Sequence, residues 1–152
     1  MEAAQNSFIS STYWTDRIGP TAALANIKKF KEKNVPERLI HVGEGVKAIW
    51  KKISGEFEVP IQIAGISSLG SWQCLTENED ILHTLIAERM LEKRFLTGKS
   101  FSATFSHTDE DVSRYGEALH EVFSELLPYI KEKSLASLFK GEVIHRGFQR
   151  LN

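Results

Sequence analysis

The sequence holds a single cysteine, Cys74, so no disulfide can close within the chain, and such sparse use suits a reducing compartment. No apolar run is long enough to cross a bilayer. Met1-Glu-Ala-Ala has neither the basic start nor the apolar stretch of a secretory signal. Charge of one sign is not in excess: the formal net charge is -1, so no global field draws nucleic acid or an anionic membrane. The histidines, His41, His83, His107, His120 and His145, never fall three or four residues apart, which removes the usual local metal-site spacing. Glycine-rich phosphate cradles of the Walker or dinucleotide type are absent, and no serine sits in a nucleophile elbow. These absences predict a soluble cytoplasmic protein with no metal centre, no membrane contact and no nucleic-acid partner.

With 152 residues, 41% of them hydrophobic, the chain can build one real core. At this length folding buries about 68–70% of the unfolded surface. Pro20 suits a first helical turn, and Ala23, Leu24, Ile27 and Phe30 follow at helical spacing among Lys28, Lys29, Lys31 and Lys33, a solvated face. Asn34-Val-Pro-Glu37 predicts a second helix start, with Asn34 as cap and Glu37 in the capping-box position. Leu39, Val42, Val46, Ile49 and Ile53 form its stripe, Trp50 flanks it, and Gly55 marks its stop. Gly43 and Gly45 weaken this helix by up to about 1 kcal/mol each relative to alanine, so something should pack close to its backbone.

Residues 59–66 alternate as a strand. Ser67 and Ser68 break it, and Leu69 to Leu75 reads as a second strand, either antiparallel to the first or its bent continuation. Ile81, Leu82, Leu85, Ile86 and Met90 mark a third helix beginning at Asn78. Ser102 to Ser106 is short, β-prone and uncharged, and predicts a buried strand. Thr108 and Asp111 frame a capping box for a long last helix, which Pro128 should end or kink. Ser134 to Phe139 reads as a short helical turn, and Gly141 to Asn152 as an extended tail anchored by Phe148. The economical arrangement is α+β, a small antiparallel sheet of three to four strands with helices on one face. His107, beside the cap Thr108, either bonds to loop backbone or faces a cleft. Cys74 has no sequence partner and reads as a core hydrophobe.

The chemistry-bearing stretch is Phe8-Ile-Ser-Ser-Thr-Tyr-Trp-Thr-Asp-Arg-Ile-Gly-Pro20. Its hydroxyls, Ser10, Ser11 and Thr12, lie between a strand end and a helix start, where backbone N–H groups and a helix N-terminus can hold an oxyanion. A polar loop that bonds its own backbone is the other reading. Asp16 and Arg17 read as a surface ion pair or as groups that position the loop.

This string, with Lys99-Ser-Phe-Ser-Ala-Thr-Phe-Ser-His-Thr and the C-terminal Gly-Phe-Gln-Arg, resembles the class III (fold type I) pyridoxal-phosphate (PLP) aminotransferases, nearest to the glutamate-1-semialdehyde aminomutase branch. The resemblance covers nearly the whole chain but only the C-terminal part of such an enzyme. It implies that Thr12, with Ser11 beside it, binds the cofactor phosphate of a neighbouring subunit. It places residues 1–19 with a large domain and residues 20–152 in the small C-terminal domain. The family's Schiff-base lysine lies upstream of the hydroxyl loop, and Met1 to Ser7 contain no lysine. The resemblance therefore implies no catalytic residue here, PLP only in the complete enzyme, and a homodimer or large aminotransferase domain as partner. A non-catalytic interaction or phosphoanion-binding module is the alternative.

Overall fold

The structure, a computed structural model, describes residues 15–139 and Gly141. The stretch Phe8–Ser11 expected as a strand, the hydroxyls Ser10, Ser11 and Thr12, the aromatics Tyr13 and Trp14, His145 and the expected tail anchor Phe148 lie outside the described residues. The chain divides into two units, Met1–Pro36 and Glu37–Asn152.

In the first unit, helix α1 spans Ile18–Glu32. Asp16 Oδ1 accepts from the Ile18 N–H at 3.0 Å and so satisfies one of the donors that a helix start leaves open. The lysine-rich face is solvated as predicted, with Lys28 pairing to Glu32 one turn on at 3.8 Å. No residue of α1 is buried. Asn34 differs from expectation. Its φ is 47°, and its N–H donates to the Lys31 carbonyl, so it ends α1 in the left-handed conformation instead of capping the next helix.

Helix α2 runs Val35–Phe57, past Gly55. It stops at Glu58, whose φ is 56°. Strand β1 (Ile61–Ile66) turns at Ser67 and Ser68 into β2 (Leu69–Cys74), and the two pair antiparallel with Ile63 opposite Trp72. Helix α3 (Glu79–Glu92), strand β3 (Ser100–Ser102), helix α4 (Asp109–Lys131) and a 3-10 turn (Leu135–Ser137) follow. The sheet order is β1-β2-β3, antiparallel throughout. This is the α+β fold expected, with three strands among the described residues.

Period-two alternation sorts the sheet. Trp72 and Cys74 are buried against helices while Gln62, Leu69 and Gln73 point away. The core gathers Val46, Trp50 and Ile53 of α2, Leu82, Leu85, Ile86 and Met90 of α3, and Leu119, Val122, Phe123 and Leu126 of α4. Trp50 does more than flank its stripe. It is buried, stacks on Trp72 with ring centres 5.7 Å apart, and donates from Nε1 to the Tyr115 hydroxyl at 2.9 Å. Gly43 answers the expectation of a close neighbour: a Cβ built there would lie 1.6 Å from the Ser67 carbonyl oxygen, so the hairpin turn rests directly on the α2 backbone. Strand β1 is an edge. Lys47 Nζ donates to the Gly65 carbonyl at 2.7 Å and Ser54 Oγ accepts from the Ile61 N–H at 3.3 Å, which takes up part of its open ladder.

The buried strand expected over 102–106 is a correction. Pairing begins earlier, with the Trp72 N–H on the Lys99 carbonyl at 2.9 Å, and strand geometry ends at Ser102. The Thr104 N–H donates to His107 Nδ1 at 3.0 Å, Thr104 and Ser106 hydroxyls meet at 3.0 Å, and the His107 N–H closes on the Thr104 carbonyl at 3.2 Å. Local hydroxyl and imidazole bonds offer the backbone a turn in place of a ladder, and Phe105 is left exposed. The capping box is as expected: Thr108 Oγ1 accepts from the Asp111 N–H at 3.1 Å and Asp111 Oδ2 accepts from the Thr108 N–H at 2.9 Å. Pro128 does not end α4, which continues to Lys131. The carbonyl deprived of a donor belongs to Ser124, and Ser124 and Pro128 are both exposed, so water can satisfy it. No described helix is long and apolar enough to cross a membrane.

Candidate functional site

The residues assigned to the cofactor phosphate, Ser11 and Thr12, lie outside the described residues. One polar concavity among the described residues is on the face of the sheet turned away from the core. Alternation turns Gln62 and Ala64 of β1 and Ser71 and Gln73 of β2 to the same side, and the register sets Gln62 directly across from Gln73. The first turn of α3 adds Glu79, and the segment leading into β3 adds Lys99; together they border a cavity of about 400 Å³.

Lys99 Nζ reaches Glu79 Oε1 at 2.5 Å and Asp80 Oδ1 at 3.2 Å, while Gln73 Nε2 donates to Glu79 Oε2 at 2.8 Å. Partial burial disfavours the Lys99 ammonium, but its hydrogen bonds to Glu79 and Asp80 outweigh that and hold its pKa above the ordinary value. The Lys99 hydrogen bond holds the Glu79 carboxyl below its own range. Two carboxylates thus enclose one ammonium.

That arrangement bears directly on PLP. A lysine that traps a carbonyl must surrender its proton easily, which needs a lowered pKa. Lys99 is held protonated instead. A phosphate placed beside it would also meet an excess of negative charge. The cavity's residues do not fit PLP, either as its lysine or as its phosphate cradle.

Other reactive side chains are quiet in the structure. Cys74 is fully buried, and burial pushes its thiol up to about 12, so it is the core hydrophobe expected and no thiolate nucleophile. His83 is also buried. Its Nε2 accepts from the Cys74 N–H at 3.2 Å, and burial pushes its pKa down to about 4. Sequence reasoning passed it over, although His83, Ile86 and Met90 share one helical face. His41 and Arg38 both contact Asp109, at 3.1 and 2.8 Å, and His120 meets Glu56 at 2.7 Å; these are exposed pairs. His107 satisfies both readings offered for it. It bonds to loop backbone and also borders a cleft, beside the Phe101 ring at 5.3 Å.

No family model matches the chain, and no curated protein matches it. Among solved structures, the PLP internal aldimine form of the FumI protein of Sphingopyxis sp. MTA144 superposes with a TM-score of 0.71 over 86% of this chain, at 20% identity. The two share a fold. The chain spans 32% of the length of FumI, so it corresponds to one part of a PLP-containing protein. The sheet with helices on one face belongs to that shared fold.

Proposed function

We propose that this chain is the C-terminal small domain of a class III PLP-dependent aminotransferase, of the glutamate-1-semialdehyde aminomutase kind, and is inactive by itself. The observation that carries the reading is the fold match, which takes in 86% of this chain and 32% of FumI. In the complete enzyme PLP supplies the electron sink for amino transfer. This chain's part is to position: residues 20–152 form the small domain, and residues 1–19 go with the large one. Thr12 and Ser11 donate hydroxyl hydrogen bonds to the phosphate of a neighbouring subunit, strengthened by its charge. The partner is a homodimer mate or a large aminotransferase domain.

A second reading is favoured by one observation. Helix α1 buries no residue and exposes Ile18, Leu24, Ile27 and Phe30, as a non-catalytic interaction module would. Titration with inorganic phosphate, followed by amide NMR and light scattering, separates the two. The aminotransferase reading expects shifts confined to Ser10–Thr12. A stable dimer with no shift at those amides supports the interaction module and removes the phosphate role.

A further inference from the structure

A cavity of about 130 Å³ lies between α2, α4 and the segment leading into β3, apart from the Lys99 cluster. Trp50, Phe95, Phe101 and Tyr115 border it, together with His107 and Asp111. Its walls are fixed before any ligand arrives. Trp50 is held by the Trp72 stack and by the Tyr115 hydroxyl, and Trp72 Nε1 donates to the Gly98 carbonyl at 2.9 Å, which ties down the 95–98 segment. An apolar pocket with fixed walls and few polar groups is the usual form of a small-molecule site.

Of the polar side chains on its border, which also include Thr97, Ser100 and Tyr115, His107 and Asp111 are each half used. His107 Nδ1 accepts from the Thr104 N–H at 3.0 Å, so in the neutral ring the proton is on Nε2. That Nε2 has no protein partner among the described residues. Asp111 spends Oδ2 on the Thr108 N–H and hydroxyl, at 2.9 and 2.7 Å. Its Oδ1 has no protein partner among the described residues either. The cavity's border therefore holds one free N–H donor and one free carboxylate oxygen, beside the aromatic rings and the hydroxyls of Thr97, Ser100 and Tyr115. Its volume is close to that of an engineered apolar cavity of about 150 Å³ that takes up benzene. A carboxylate at the wall repels an anionic ligand and favours one that donates a proton.

We propose that this cavity binds a small neutral phenol-class molecule, one aromatic ring with its hydroxyl donating to Asp111 and accepting from His107. The proposal is independent of the aminotransferase reading, because it uses none of Ser11, Thr12 or PLP.

The test is amide and indole NMR of the full chain titrated with phenol, benzene and benzoate at neutral pH. Phenol is expected to give saturable shifts at the Trp50 indole, Tyr115 and His107. Benzene, lacking the hydroxyl, is expected to bind about tenfold more weakly, the scale of one net hydrogen bond. Benzoate should give no saturable shift. Val112→Phe, which fills the cavity from a lining position, should abolish phenol binding. If that variant fails to fold, the wild-type shift map decides by itself. No saturable phenol shift, shifts centred elsewhere, or benzene or benzoate binding as tightly as phenol would overturn the proposal.

Discussion

Gly43→Ala is expected to cost about 3–5 kcal/mol and to shift the urea unfolding midpoint far down. The added Cβ would stand 1.6 Å from the Ser67 carbonyl oxygen and 2.4 Å from its carbon. Both are backbone atoms, so no rotamer change makes room. Either the β1–β2 turn lifts off α2 or the helix bends. The turn is also tied to the helix by the Ser67 hydroxyl, which donates to the Glu44 carboxylate. Gly55→Ala is the matched control on the same helix, since nothing lies within 4 Å of its built Cβ. There alanine should stabilise by up to about 1 kcal/mol through helix propensity alone. Equal midpoints for the two variants would show that the hairpin does not rest on the helix as described.

The second large effect is on acid stability. Burial is the main cause that pushes the His83 pKa down to about 4, with the Lys99 charge adding to it and Glu79 and Asp80 opposing it. In the unfolded chain the group returns to about 6.5. Above that value neither state binds the proton, and the contribution is fully present. As pH falls from about 6.5 towards about 4, only the unfolded state takes up the proton, and up to about 3 kcal/mol of stability is lost. Glu79, held low by Lys99, loses its share only below its ordinary range, in a separate and more acid window. His83→Gln keeps an acceptor for the buried Cys74 N–H and removes the titration. Urea unfolding at pH 7 and pH 4.5 should find the variant losing about 2 kcal/mol less than the wild type between the two. Parallel losses would mean that His83 is not buried neutral.

Much of this was legible from the residues. Gly43 announced a close backbone neighbour because a glycine inside an amphipathic run weakens the helix unless something needs the space. The Thr108–Asp111 spacing fixed the start of α4, since a capping box is a local device complete within four residues. The hairpin could be read from alternation on either side of Ser67 and Ser68. What escaped was decided by partners distant in sequence or by competing local bonds. Residues 102–106 have strand composition, yet the Thr104–His107 bonds turn the chain. Asn34 has the side chain of an N-cap, yet its left-handed φ assigns it to the end of α1. The Lys99 cluster joins side chains about 20 residues apart, which no spacing rule detects. His83 hid among apolar neighbours because its burial depends on accepting from a strand N–H that only the folded sheet places.

We propose that this chain is the small domain of a PLP enzyme and carries no lysine that anchors PLP. Incubation of the intact chain with PLP, reduction with borohydride and peptide mapping by mass spectrometry tests it most directly. Only sparse labelling spread over exposed lysines is expected, with Lys99 protected by Glu79 and Asp80. One lysine labelled stoichiometrically, Lys99 above all, would contradict it.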